Sequence, residues 1–287
     1  MTMTEVDCTA DDHDDIDRLN NKVKTILTKL QADPKTKLNT EVVFAAKSGN
    51  GIFAGFPIYH KRSEWFVCVL LFIALSMIAS SVAEKGVLRA FFYGVAAFLS
   101  YDFYSGVLHI VFDNPLNIAL PIIGAPCLEF QWHHHIPNDI ASKSLLQACG
   151  DLNLIAPCNL LIHYFWTSNF AQDKVVLGVG GFKLLSAYFG QFSHRAAHDP
   201  TARRSFLVRT LQDYGFMVSI GHHKSHHQAP HNVDFCLIGV CNPLVDYLFN
   251  HVITNQKYAR KMWLFIFFFW SFADLSILSW FLSALLG

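Results

Sequence analysis

"WFVCVLLFIALSMIASSVA", residues 65–83, is nineteen residues without a charge. As one helix rising 1.5 Å per residue it crosses the roughly 30 Å hydrocarbon core of a bilayer. This stretch makes lipid the solvent against which the remaining sequence has to be read. On its N-terminal side the character reverses. "MTMTEVDCTADDHDDIDR", residues 1–18, carries seven acidic residues and one Arg, unlike a secretory signal or a transit peptide. Residues 1–60 are expected to form a solvated tail, with "RLNNKVKTILTKL" at 18–30 as a short amphipathic helix.

On the C-terminal side the apolar runs continue. Ala90 to Phe112 is interrupted only by Asp102, Leu152 to Phe170 holds Pro157 and His163, and Val175 to Ser193 holds Lys183. The final run, from Met262, carries Asp274 at its centre and either crosses or lies as two half-length segments in the interface. The pattern predicts an all-α, multi-span membrane protein with four to five spans. Its parts are the tail (1–60), a central domain (61–261) and a C-terminal membrane segment (262–287). "GVGG" at 178–181 lacks the strand-turn-helix setting of a nucleotide loop and reads as helix packing.

The whole composition agrees. Of 287 residues, 52% are hydrophobic and 15% charged, and the formal net charge is zero. No basic excess exists to recruit nucleic acid, so the membrane and its lipids are the expected partners. Seven scattered cysteines without a C-x-x-C pair read as free thiols in a reducing compartment.

Against this background the histidines stand out. "GHHKSHHQAPH", residues 221–231, puts five imidazoles into eleven positions, and others sit at His109, His133 to His135, His194 and His198. Counting crossings brings all of these groups to one face of the membrane. That face also carries nine Lys and Arg between Arg18 and Arg62 and eight between His194 and Lys261, whereas the opposite loops carry Lys85, Arg89 and Lys174. The positive-inside rule makes the histidine face cytosolic.

Spacing points to metal. His194 and His198 are i, i+4, as are His222/His226 and His223/His227, so each pair projects from one helical side. Such pairs grip metal ions. Asp113, four residues after His109, can add an oxygen ligand or accept from a ring N–H. One zinc uses about four ligands. This set exceeds that, and two ions with several imidazoles and open positions suit iron. His13, His60, His163 and His251 are read as solvated or hydrogen-bonded, and His135 as the solvated end of its triplet. Asp102, seven residues before His109 on the same helical side, is expected to support the site without ligating.

The ordered motifs "YDFYSGVLHIVFD", "HHHIP", "HRAAH", "LQDY" and "HHKSHHQAPHNVDFCLIGVCNPL" resemble the membrane lipid desaturases that include plasmanylethanolamine desaturase and the plastid palmitoyl-phosphatidylglycerol trans-desaturase. The resemblance runs from Tyr59 to Leu248. It implies a metal set of His109, Asp113, His133 or His134 (both kept), His194, His198, His222, His223, His226, His227 and His231. "HKRSEWFVCVLLF" and "ALPIIG" look closer to the ether-lipid branch, which implies conversion of a 1-O-alkyl phospholipid to the vinyl ether of a plasmalogen. Removing hydrogens from unactivated carbons needs an oxidant no side chain supplies, so two irons and O2 are the expected cofactors. No haem, flavin or nucleotide motif is visible, so an external cytochrome b5-type or ferredoxin-type electron donor is expected. The setting implied is the endoplasmic reticulum, or alternatively a plastid membrane. The alternatives are trans-desaturation of phosphatidylglycerol acyl chains, lipid hydroxylation, and a non-enzymatic zinc transporter or buffer. The placement of ligands at span ends and in loops argues against transport.

Overall fold

The computed structural model describes residues 64–286 apart from 115–116, 118–119, 121–122, 136–139, 142, 154, 168, 200–203 and 229–230. The N-terminal tail and its amphipathic helix lie outside these residues, as do parts of the "ALPIIG" stretch and the side chain of His135. The described residues form helices and connecting turns: α1 (Glu64–Lys85), α2 (Val87–Phe112), α3 (Gly124–His135), α4 (Leu145–Cys149), α5 (Ile155–Thr167), α6 (Asp173–His198), α7 (Phe206–Asp213), α8 (Ile220–His226), α9 (Asn242–Tyr247) and α10 (Gln256–Leu286). Four of them, α1, α2, α6 and α10, are long and apolar enough to cross a membrane.

Gly86, at φ +83°, lets the chain reverse in one residue between α1 and α2. The glycine-rich face of α6 then packs tightly on that hairpin. A Cβ on Gly178 would come within 2.5 Å of Ser81 Oγ, and one on Gly181 within 2.8 Å of the Ala74 carbonyl. Small residues let helices approach closely in lipid, where dispersion contact replaces the hydrophobic effect as the force between them.

The run read as a third span, 152–170, is not a membrane-length helix. It is met by α4, a 3₁₀ turn (Gly150–Leu152) and the 13-residue α5. Pro157 in the first turn of α5 fits a helix start, because its missing N–H is one of the unpaired donors there. The depth is still traversed. Ser144 donates to Glu64 at the start of α1 (2.9 Å). Cys149 Sγ lies 3.8 Å from the Tyr188 carbonyl, further along α6. Gln172, which caps α6, accepts from Lys85 at the opposite end of α1. A broken segment thus replaces the third helix and preserves the crossing count.

The final run is continuous and does not split into half-length pieces. α10 spans 31 residues, so the boundary expected at 261/262 falls inside one helix. Asp274, at its centre, is fully buried beside Lys183 Nζ of α6 (2.6 Å). Ser100 of α2 donates to the other carboxylate oxygen (3.3 Å), and Asn159 of α5 accepts from Lys183 (3.2 Å). His163, read as unremarkable, is buried here, with Nδ1 2.9 Å from Ser276 Oγ and Nε2 3.2 Å from the Ser271 carbonyl. Two charges that hydrocarbon would reject singly are tolerated as a pair with hydrogen-bonded neighbours.

Candidate metal centre

The end of the bundle where α2 and α6 finish gathers most of the described histidines. α2 ends near His109, α6 ends at His198, and α3, α8 and the 231–236 segment close over them. One stripe of α2 does two jobs. Its first part holds a loop: the carboxylate of Asp102, fully buried, accepts backbone N–H bonds from Ile238 (3.0 Å), Gly239 (3.1 Å) and Cys241 (2.7 Å). Ser105 Oγ accepts from the Leu237 amide (2.9 Å), and Gly106 leaves room for Cys236, whose Sγ would lie 2.8 Å from an added Cβ. Irregular backbone at membrane depth must have its N–H groups satisfied from within the protein, and this stripe supplies the acceptors. Its last part, His109 and Asp113, reaches the centre.

Among the described residues two sets of donors converge, each with its atoms within 4.8 Å of one another: His133, His194, His198, His223 and His227 in one, and Asp113, His134 and His226 in the other. In the first, Nε2 atoms face Nε2 atoms: His133 to His194 at 2.9 Å and to His198 at 3.0 Å, His223 to His198 at 2.7 Å and to His227 at 3.0 Å. In the second, Asp113 lies 2.9 Å from His134 Nε2 and 3.1 Å from His226 Nε2. The sets share a wall, for the rings of His134 and His227 stack at 4.4 Å. His109 stands between them, its ring 5.9 Å from that of His194 and 5.2 Å from that of His226.

Three of the ring nitrogens are held by backbone acceptors. His109 Nδ1 is 3.0 Å from the Ser105 carbonyl, His226 Nδ1 is 3.2 Å from that of Val233, and His231 Nδ1 is 2.9 Å from that of His226. A carbonyl partner fixes the proton on Nδ1 and aims the Nε2 lone pair inward. His231 reaches its position through a left-handed backbone (φ +54°), and its ring lies 5.5 Å from that of His134.

Electrostatics keep the first set neutral. Burial, then the neighbouring imidazoles, pushes His133 and His223 well below the usual histidine range and His227 down to about 2. Asp113 differs. Its burial would raise it, but hydrogen bonds and charge from His134 and His226 hold it below the usual carboxylate range. His226 is lowered by burial yet raised overall by its contact with Asp113.

These residues fit metal ions. Neutral imidazoles whose Nε2 atoms meet at hydrogen-bond distance can share protons within pairs, but five converging on one another cannot all be satisfied that way; a cation accepts every lone pair at once. Two adjacent sets, one holding a carboxylate, match a pair of ions in kind and number of donors.

The structure brings together His109, Asp113, His133, His134, His194, His198, His223, His226 and His227, with His231 at the edge. It leaves His222 apart: that side chain is 66% exposed, and its Nδ1 is 2.9 Å from Asp234 Oδ1. Asp234 was not singled out from sequence. It sits at φ +59°, accepts from Asn242 (3.1 Å), and its backbone N–H donates to both carboxylate oxygens of Asp246 (3.0 Å each). The one sequence signal for it, an Asp three residues after His231, is weak.

Comparison with known proteins gives this geometry a family. Residues 98–254 match the lipid desaturase domain model. The chain is 33% identical over 154 residues to fatty acid desaturase 4-like 2, chloroplastic, of Arabidopsis thaliana, covering 53% of this chain and 54% of that one. It is 29% identical over 184 residues to fatty acid desaturase 4, chloroplastic, of the same plant (62% and 55% covered). Over 149 residues it is 30% identical to plasmanylethanolamine desaturase 1 of Mus musculus (50% and 55% covered). The chain spans about half the length of the curated relatives it matches. No solved structure matches it significantly. Since the matched interval holds both donor sets and the Asp102 loop anchor and runs over more than half of the sequence, the chain belongs to the lipid desaturase domain family.

Proposed function

We propose that this protein is an O2-dependent desaturase of a phospholipid hydrocarbon chain, acting at two irons. The observation that carries this reading is the meeting of two adjacent, buried donor sets at one end of membrane-spanning helices. His133, His194, His198, His223 and His227 would hold one ion, Asp113, His134 and His226 the other, with His109 between them. Loaded with iron and supplied with O2, two electrons and two protons, the centre would remove two hydrogens from adjacent carbons, forming one C=C bond and two waters.

The chain's own residues supply the rest. Val233, Ser105 and His226 carbonyls fix ring orientation. The packed rings of Phe130 and Phe235 beside His109 and His226 exclude water from the donors. Asp102 and Ser105 hold the loop that carries Phe235 against the centre. The electrons come from a separate carrier of cytochrome b5 or ferredoxin type, and the setting we favour is the endoplasmic reticulum with the centre facing the cytosol.

For the substrate we favour a 1-O-alkyl phospholipid desaturated to its vinyl ether. The stretches 59–72 and 119–124 support this branch, as does the similarity to the mouse plasmanylethanolamine desaturase. A second reading, an acyl chain in a plastid-type membrane, is supported by the plant relatives, which are named fatty acid desaturases. Expression in cells lacking plasmalogens separates the two by lipid profile. Restored acid-labile vinyl ethers support the first reading, and a new acyl double bond alone supports the second. A hydroxylated chain would make the protein a hydroxylase. No lipid change with iron bound and donor supplied would sink the desaturase reading for both substrates.

A further inference from the structure

α7 connects the two helices that contribute most of the first donor set, α6 and α8, and it carries an unpartnered apolar face. Phe206, Leu207, Thr210 and Tyr214 fall on one side of it. Phe206 is 77% and Tyr214 76% exposed, and Leu207 and, in the following turn, Phe216 are also exposed. The aliphatic hydroxyl inside this face, that of Thr210, is turned back onto the Phe206 carbonyl at 3.0 Å, and the phenol of Tyr214 suits the headgroup boundary. The opposite side faces the protein: Gln212 is buried, and its Nε2 donates to the Val218 carbonyl (2.9 Å).

Depth decides what covers the exposed side. The Val218 amide donates to Ser193 Oγ (2.9 Å), five residues before α6 ends at His198. The C-terminal end of α7 and its turn are therefore tied about 7–8 Å inside the end of a membrane-spanning helix, at 1.5 Å per residue. Trp65 and Tyr258, exposed aromatics at the starts of α1 and α10, lie at this same end of the bundle, where Ser144 and Lys143 link Glu64 to Arg195 of α6 and Arg260 meets Asn117 after α2; a bilayer keeps its interfacial aromatic belt at such an end.

We infer that α7 and its following turn are embedded in the leaflet on the metal side, with Phe206, Leu207, Tyr214 and Phe216 among the lipid chains at the headgroup boundary. The occupant of this face is the bilayer itself, continuous with the lipid around the spanning helices. This inference rests on the membrane reading of the fold and needs no assigned reaction. Its consequence is that the connection between two ligand-bearing helices is a lipid-contacting rim.

The test places the photo-crosslinker benzoylphenylalanine at Leu207, Tyr214 or Phe216, one at a time, in the full chain reconstituted in phosphatidylcholine nanodiscs. Irradiation should raise the intact mass by one phospholipid at each of these positions and leave a Gln228 control, exposed just beyond α8, without lipid. Three separately exposed positions guard against the misfolding of any one variant. Crosslinking of two protein copies through Leu207 would mean that a second copy covers the face. That result would overturn the inference, as would lipid-free protein at all three positions or equal lipid labelling at Gln228.

Discussion

Two of the polar clusters buried among the described residues obey opposite rules. At mid-bundle, donors meet acceptors: Lys183 Nζ reaches Asp274 and Asn159, and Ser100 completes the carboxylate. That cluster is electrically complete. At the metal end, ring nitrogens meet ring nitrogens, with Nε2 facing Nε2 at 2.7–3.0 Å around His133, His198 and His223. The first cluster is finished by the fold; the second has the donor chemistry that suits cations. The same element, α6, contributes to both, so a substitution at one end tests chemistry and at the other tests assembly.

The comparison breaks most completely at the metal end. His223→Ala and His198→Ala should each take iron from about two per chain to about one or fewer, with loss of the desaturated product, read by elemental analysis and lipid profile. Helical content should stay near wild type, because the bundle closes without these rings. At mid-bundle the order reverses. Lys183→Met leaves Asp274 buried without its partner, which should cost about 3–5 kcal/mol. Adding Asp274→Leu should recover most of that loss in the double variant, as judged by unfolding in detergent, while bound iron per folded chain stays unchanged.

A pH series on metal-free protein sharpens the contrast. His133, His223 and His227 have folded-state pKa values depressed below their unfolded values, so the unfolded chain binds more protons. The contribution of these three should be level above about pH 6.5, the ordinary histidine value, and be lost as pH drops toward the depressed folded values, whereas the raised His226 adds stability as pH falls through its folded value and offsets part of the loss. Thermal unfolding between pH 8 and pH 5 measures this. A midpoint that rises with acid would contradict the neutral-imidazole account. The smallest effect is expected at His222→Ala. Its side chain is exposed and bound to Asp234, so iron content and product should change by less than about twofold, the scale of surface substitutions.

His222 also shows where sequence reading stops. Its i, i+4 spacing with His226 is as good as that of His223 with His227, and both pairs lie on one short helix. That His223, His226 and His227 point inward while His222 does not depends on the positions of His198 and Asp113, contacts made by other helices. The adjacent His133 and His134 carry the same lesson: one serves each donor set, a division that a triplet in sequence cannot express. The role of Asp102 is half visible. Its place inside a span marks it as important, but the loop it holds lies 136–139 residues away. The third crossing failed as a helix because hydropathy averages over Pro157 and the turn before it, whereas helix nucleation does not. Lys183 and Asp274 are each visible as intruders in apolar runs, and only the packing of α6 on α10 makes them partners.

That pairing bears on how the protein is made. An Asp at the centre of a membrane helix opposes insertion by about 2.5–3.5 kcal/mol on the translocon scale, and α10 carries one. Its complement, Lys183, enters the bilayer earlier in synthesis with the same handicap. Each helix inserts at less cost beside the other than alone, so early pairing of α6 with α10 would ease assembly. A chain that misses this meeting presents a lone intramembrane charge, the kind of defect that membrane quality control can recognise and remove.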